Sequence, residues 1–275
     1  MTNLVYDNFS DVFAFRQAIQ TRPSNGKASD KAKTNDNEFS GMPLDDAYNA
    51  LTDGLPEVAD KLKRELTKFK AVVSGQLTQR RPINYYNGHS PNVPAAIIGL
   101  PKSMRKVTKT PSKVKTVTIY YNSSANCSHK AETLEQAGAT VLQLTYWLEM
   151  NGYRVKFVLL PFLAEESGEI ACCKVLLKEY KQPLDILKLS FSITSVSMFR
   201  RLGFKWIETV PGLKESWAFG YGYPLANSGD TKRILGILKQ TGENTENTYY
   251  LSVNECKKAN FDAIKLASDL GIKVG

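Results

Sequence analysis

From Lys115 to the end of the chain, short β-branched and aromatic runs alternate with stretches of helical periodicity, and this alternation limits the fold more than any other feature. Val117, Ile119 and Tyr121 in TVTIYYN read as a strand ending at Asn122. A helix is predicted over Ala131–Met150, with Ala137, Val141, Leu144 and Leu148 on one face and Gly152 as its stop. Further strands are expected near 153–160 (cut by Pro161), 185–192, 248–253 and 272–274, with helices over GEIACCKVLLKEY, SVSMFRRLGF and FDAIKLASDLG. Parallel neighbours need crossover connections, and helices supply them, so the pattern predicts an α/β fold: a mostly parallel sheet with helices on both faces, preceded by a small helical N-terminal region.

Four segments are expected. Residues 1–20 hold a short N-terminal helix capped by Ser10, and 21–43 form a flexible linker, too polar to offset the entropy of ordering. Residues 44–113 are a basic helical region followed by a Pro-containing strap, and 114–275 are the α/β domain. In the strap, Val93, Ile97, Ile98, Leu100 and Met104 are too apolar for a free linker and are predicted to dock on the α/β domain. Exposed, they would instead form a patch for a partner protein.

The formal net charge is +9, and its distribution is uneven. Between Lys61 and Lys115 lie thirteen basic residues and one acid, Glu65. Such a stretch suits a polyanion; the alternative is a solvated basic face that binds nothing in particular. The candidate nucleic-acid contacts are Lys61, Arg64, Lys68, Arg80, Arg81, Lys102, Arg105, Lys106 and Lys109. Tyr85 and Tyr86 lie among these charges and are candidates for base stacking. The aromatic residues of AFGYGYP, 218–224, are expected to pack over the sheet edge.

Several activities lose their required residues. The four cysteines form no C-x-x-C pair and only two histidines are present, which argues against zinc. There is no P-loop, no G-x-G-x-x-G after a strand and no G-x-S-x-G elbow. No catalytic residue and no cofactor is expected. No apolar run approaches the roughly 18 residues of a membrane span, and the N-terminus lacks the marks of a secretory signal, so no membrane partner and a cytoplasmic location are expected.

The first strand, its Ser-containing turn Asn122-Ser123-Ser124-Ala125-Asn126, the long helix, the strand GYRVKFVLL and the run YYLSVNECKKANFDAIKLASDLGIKV together resemble a von Willebrand factor A domain. The resemblance covers roughly residues 114–275. It implies a divalent-cation site of hard oxygen ligands at one edge of the sheet. Here that site is degenerate: Asn122 stands in place of the first Asp, Ser124 matches, and Asn126 replaces the second Ser. Thr194 or Ser195 takes the place of the Thr, and Asn254 or Glu255 that of the last Asp. With both aspartates missing, no bound metal is expected. The segment NYYNGHSPNVPAAIIGLPKSMRK is similar to one in a family of uncharacterised bacteriophage and mobile-element proteins. These likenesses imply a non-enzymatic interaction module with a protein partner, in the host cytoplasm if phage-encoded. The alternative is nucleic-acid binding through residues 61–115, and a metal-dependent hydrolase comes last.

Overall fold

Tyr120 and Tyr121 occupy adjacent positions of one strand, so they point to opposite sides of the sheet, and each is 1% exposed. Both faces of that sheet must therefore be covered. The computed structural model describes residues 3–27, 31–33, 36–74, 83–106, 115–124, 129–226 and 231–272. It divides into a larger unit, residues 1–68 and 115–275, and a smaller one, residues 69–114.

The chain begins with β1 (Asn3–Phe9), α1 (Val12–Thr21), α2 (Asn37–Ser40), α3 (Leu44–Asp53) and α4 (Pro56–Ser74), the last crossing from the larger unit into the smaller. The small unit contains β2 (Ile83–Tyr85), β3 (Ser90–Pro91), α5 (Val93–Ile97) and β4 (Met104–Lys106). The larger unit resumes with β5 (Lys115–Asn122), α6 (Ala131–Met150), β6 (Tyr153–Glu166), β7 (Glu169–Lys178) and α7 (Ile186–Thr194). A π-helical turn (Met198–Gly203) leads into α8 (Phe204–Ile207), and a 3-10 turn (Glu215–Phe219) precedes β8 (Tyr223–Pro224). The remaining elements are α9 (Thr231–Gln240), β9 (Thr248–Ser252), α10 (Val253–Lys258) and α11 (Ala263–Asp269).

The central sheet has the order β1-β7-β6-β5-β9, with β8 joining β6. The pairs β1/β7, β5/β6 and β5/β9 are parallel, and β6/β7 and β6/β8 are antiparallel. Tyr120, Val158, Leu160, Cys172 and Tyr250 form one apolar face, closed by Ile234, Ile237 and Leu238 of α9. On the other side Tyr121 packs against Phe157, and Phe162 sits among Phe199, Trp206 and Trp217 at centroid distances of 5.6–6.4 Å. Helix α6 packs on α7, α10 and α11. Gly138 sets the closeness of α6 to α7, because a Cβ there would lie 2.3 Å from the Ile193 carbonyl oxygen.

The structure corrects four local expectations. GEIACCKVLLKEY is not a helix but strand β7, and the run expected as a strand at 185–192 is helix α7. Both are short, mostly buried apolar runs, where periodicity cannot separate strand from helix. For α7 the better signal was Asp185, whose carboxylate accepts from the Lys188 N–H at 3.2 Å as an N-cap. Pro161 does not end β6: the strand runs on through it as a bulge, where the β6–β7 register shifts between Leu159 and Phe162. The N-terminal segment adds an unexpected strand, β1, before its helix, and the cap of that helix is Asp11 rather than Ser10. The strand expected at 272–274 lies almost entirely outside the described residues.

The segment read as a flexible linker, 21–43, is tied down wherever it is described. The Glu208 carboxylate accepts from the N–H groups of Lys31 and Ala32 at 2.8 and 2.9 Å. Arg201, fully buried, donates to the carbonyls of Ala32 and Met42 and to the Asn37 side chain, each at 2.8 Å. Asn25 donates to the carbonyls of Ile207 and Val210. Composition counts apolar groups, and this segment is held by polar ones that sit elsewhere in the sequence. Among the described residues no helix is long and apolar enough to cross a membrane.

Lys174 of β7 is fully buried, and its ammonium donates to Thr241 at 2.9 Å and to Glu243 at 2.7 Å. Burial pushes the Glu243 carboxyl upward, but the hydrogen bonds from Lys174 and Tyr120 outweigh it and hold the group below its ordinary range. A carboxyl whose pKa is depressed by folding stabilises the native state above its unfolded pKa, about 4.3, and that stability is lost as the pH falls through the folded value. Glu243→Gln should therefore lower the urea midpoint at neutral pH, by about 2 kcal/mol in stability, and flatten its decline in acid. Gly138→Ala should cost about 2 kcal/mol or more, read in the same unfolding experiment, because backbone rather than a mobile side chain blocks the new methyl.

Candidate functional site

A parallel sheet binds ligands beyond the carboxyl ends of its strands. In this protein that crevice is occupied by the chain itself. Residues Leu225 and Ala226, which follow β8, are buried against the ends of β5 and β9, and their carbonyl oxygens need donors. Asn122 Nδ2 donates to the Leu225 oxygen at 2.9 Å and to the Tyr250 hydroxyl at 2.8 Å, while Tyr250 itself donates to Leu225 at 2.9 Å. The Ser252 hydroxyl and Asn254 Nδ2 donate to the Ala226 oxygen at 3.0 and 2.8 Å.

The residues at the degenerate cation positions are thereby placed one by one. Asn122 is fully buried, and its Oδ1 accepts from the Ser124 N–H at 2.9 Å, closing an Asx turn. The Ser124 hydroxyl accepts from the Leu163 N–H at 2.9 Å, just past the Pro161 bulge, where β6 changes partner from β5 to β8. Thr194 bonds back to the Ser190 carbonyl four residues earlier in α7. Ser195 accepts from the Ser197 N–H. Glu255 closes a capping box with Ser252 at the start of α10. Asn126 lies outside the described residues. Asn122, Ser252 and Asn254 thus converge, but on main-chain carbonyls. His129 hydrogen-bonds Asn254, and its pKa is lowered by burial and by Lys257 and Arg200. Among the described residues no group of three His, Cys, Asp or Glu is placed to hold a metal ion. The thiols of Cys172, Cys173 and Cys256 are buried, and burial raises the Cys172 pKa to about 12, which leaves it unreactive.

The second candidate lies in the small unit, where β2-β4-β3 form a three-stranded antiparallel sheet. Tyr85 pairs with Met104, and Asn84 with Arg105. By strand alternation Tyr85, Met104 and Lys106 share one face, while Asn84, Arg105 and Ser90 share the other. Lys106 is diagonal to Tyr85, and its ammonium lies 4.6 Å from that ring's centroid. The ammonium of Lys102 lies 5.5 Å from the Tyr86 ring. The two tyrosine rings meet edge to face at 5.8 Å and 74°, with exposures of 41% for Tyr85 and 64% for Tyr86. In the apolar strap Val93, Ile97, Ile98 and Leu100 are all exposed, Ile97 to 79%, while Met104 is half-buried.

The other basic candidates divide. Lys61 is held by Glu135 at 2.6 Å, a hydrogen bond that raises its pKa, and Arg64 donates to the Asp60 carbonyl within α4. Lys68 is exposed on α4. Arg80, Arg81 and Lys109 lie outside the described residues. Of the Gly- and aromatic-rich loop at 218–224, Tyr221 stacks on Phe204 at 3.8 Å and donates to Glu208, as a packing residue would.

A family model covers this architecture from residue 2 to residue 273, through both units. The chain belongs to the DUF7192 family, a domain of unknown function. No curated protein and no solved structure matches it.

Within this member of the family, sequence reasoning missed Tyr250 and the Leu225–Ala226 carbonyls. Main-chain carbonyls carry no residue signature, so only the fold reveals what Asn122 is for. Asn122→Asp tests this: it replaces the two donated bonds with a buried carboxylate facing the Leu225 oxygen. It should lower stability by about 2–4 kcal/mol in thermal or urea unfolding, and magnesium should not restore it. In the small unit, Gly88→Ala should disrupt the sheet, since a Cβ there would lie 2.1 Å from the Arg105 carbonyl oxygen, which already accepts from the His89 N–H at 3.0 Å. Hydrogen-exchange protection across 88–106 is the measurement.

Proposed function

We propose that the protein is a non-enzymatic interaction module that engages nucleic acid through its small basic unit. One observation carries the reading: residues 69–114 contain eight Lys and Arg and not a single Asp or Glu. The rest of the chain is close to neutral, so nearly all of the net charge of +9 belongs to 46 residues that have no internal counterion. Charge that cannot be matched inside a folded unit faces solvent or a polyanion. Lys102 and Lys106 lie beside exposed tyrosines, the pairing of phosphate contact and stacking surface that nucleic acid uses, and Arg105 is exposed on the other face of the same small sheet. The self-filled crevice at the sheet edge supports a body without catalytic chemistry. The von Willebrand A-like character of that body, and a phage or mobile-element origin placing it in a host cytoplasm, are part of the same proposal and rest on the resemblances of residues 114–275 and 84–106.

Retention on immobilised DNA as a function of salt tests the reading. Each phosphate neutralised adds roughly 0.7–0.9 to the log–log slope, so the triple variant Lys102→Gln, Arg105→Gln, Lys106→Gln should flatten it by about two to three, with little change in thermal stability. Absence of retention at about 50 mM salt, where counterion release favours binding strongly, overturns it.

A protein partner is the second reading, carried by exposed Val93, Ile97, Ile98 and Leu100 on one short segment. If these side chains serve a protein partner, the charge-neutral pair Ile97→Ser with Ile98→Ser leaves DNA retention unchanged. If they belong to the nucleic-acid face, retention falls.

A further inference from the structure

We infer that the nucleic acid this unit takes is single-stranded, with Tyr85 and Tyr86 stacking successive unpaired bases; the inference rests on the nucleic-acid reading above. The first ground is what the rings offer. They are adjacent in sequence, exposed, and turned 74° from each other at 5.8 Å, so their faces are not coplanar. A duplex hides its base faces inside a continuous stack, and its end could lie on one ring only. A single strand bends at every phosphate and can lay consecutive bases on two inclined faces.

The lysines give the second ground. Each ring carries its own ammonium, Lys106 over Tyr85 and Lys102 over Tyr86. An exposed cation–π contact is weaker than base–aromatic stacking, so an arriving base displaces the ammonium from the ring. The lysine stem is flexible enough to carry that charge onto the phosphate joining the stacked bases. Third, the short helix described within the unit is not suited to reading a duplex groove. A helix that reads a groove presents hydrogen-bonding side chains to base edges. Helix α5, Val93–Ile97, has the sequence VPAAI and presents none.

The test uses the full chain and fluorescence anisotropy with three labelled probes of equal length: oligothymidylate, its duplex with oligoadenylate, and an abasic strand. The single strand should bind about tenfold or more tighter than either of the others, and tighter than the abasic strand because only bases stack. Tyr85→Ala and Tyr86→Ala should each weaken the single strand by about tenfold, leaving the salt slope and duplex binding unchanged. Tyr85→Phe and Tyr86→Phe keep the rings and should keep the affinity, while thermal melts check that every variant folds. Equal, salt-dependent affinity for all three probes, with the alanine variants silent, overturns the single-strand inference and leaves the nucleic-acid reading standing. Binding to none of them, or only to vesicles of anionic lipid, overturns both.

Discussion

Two main-chain carbonyls, those of Leu225 and Ala226, are buried against the ends of the central strands, and the top of the sheet is organised around satisfying them. A buried carbonyl left without a donor costs as much as a lost hydrogen bond. Asn122, Tyr250, Ser252 and Asn254 all donate to this pair of residues. The same requirement orders its surroundings. Asn122 turns the chain through Ser124, Ser124 receives the Leu163 N–H beyond the Pro161 bulge, and the bulge frees the end of β6 to pair with β8, the strand that delivers Leu225. Among the described residues, those that resemble a cation site are thereby accounted for as hydrogen-bond donors, acceptors and caps.

Electrostatics divides the protein in a different way. Deeply buried cations of the larger unit have partners within it. Lys174 meets Glu243, Lys178 meets Glu149 and the Val155 carbonyl, and Arg201 saturates its guanidinium with carbonyls from the 32–42 segment. Truncating one partner of such a pair strands the other without water, so these pairs fix geometry even where their net contribution to stability is small. The small unit has no acid at all, and its Lys102 and Lys106 lie over tyrosine rings.

Much of this was legible in the residues. The β5–α6–β6 order, the Gly152 stop, the strand at Tyr249–Leu251 and the last helix follow from periodicity and caps, because a helix and a half-buried strand impose different spacings on their apolar side chains. The basic bias around Tyr85 and Tyr86 was equally visible, since charge is read directly from composition. The exchange of strand and helix at β7 and α7 was not, because a short, mostly buried apolar run carries too little periodicity to distinguish them.

By itself the sequence determined the α/β class, the span of α6 and the uneven charge, all of which depend on residues close together along the chain. Only the tertiary structure decided what Asn122, Ser124 and Asn254 do, because their partners are main-chain groups or side chains brought in by other elements. It also decided that the polar 21–43 segment is anchored, by Glu208 and Arg201 from more than 150 residues away, and that Ile97 and Ile98 face solvent. A hydrogen bond to a distant backbone group leaves no spacing in the sequence, and exposure depends on what the rest of the chain leaves uncovered.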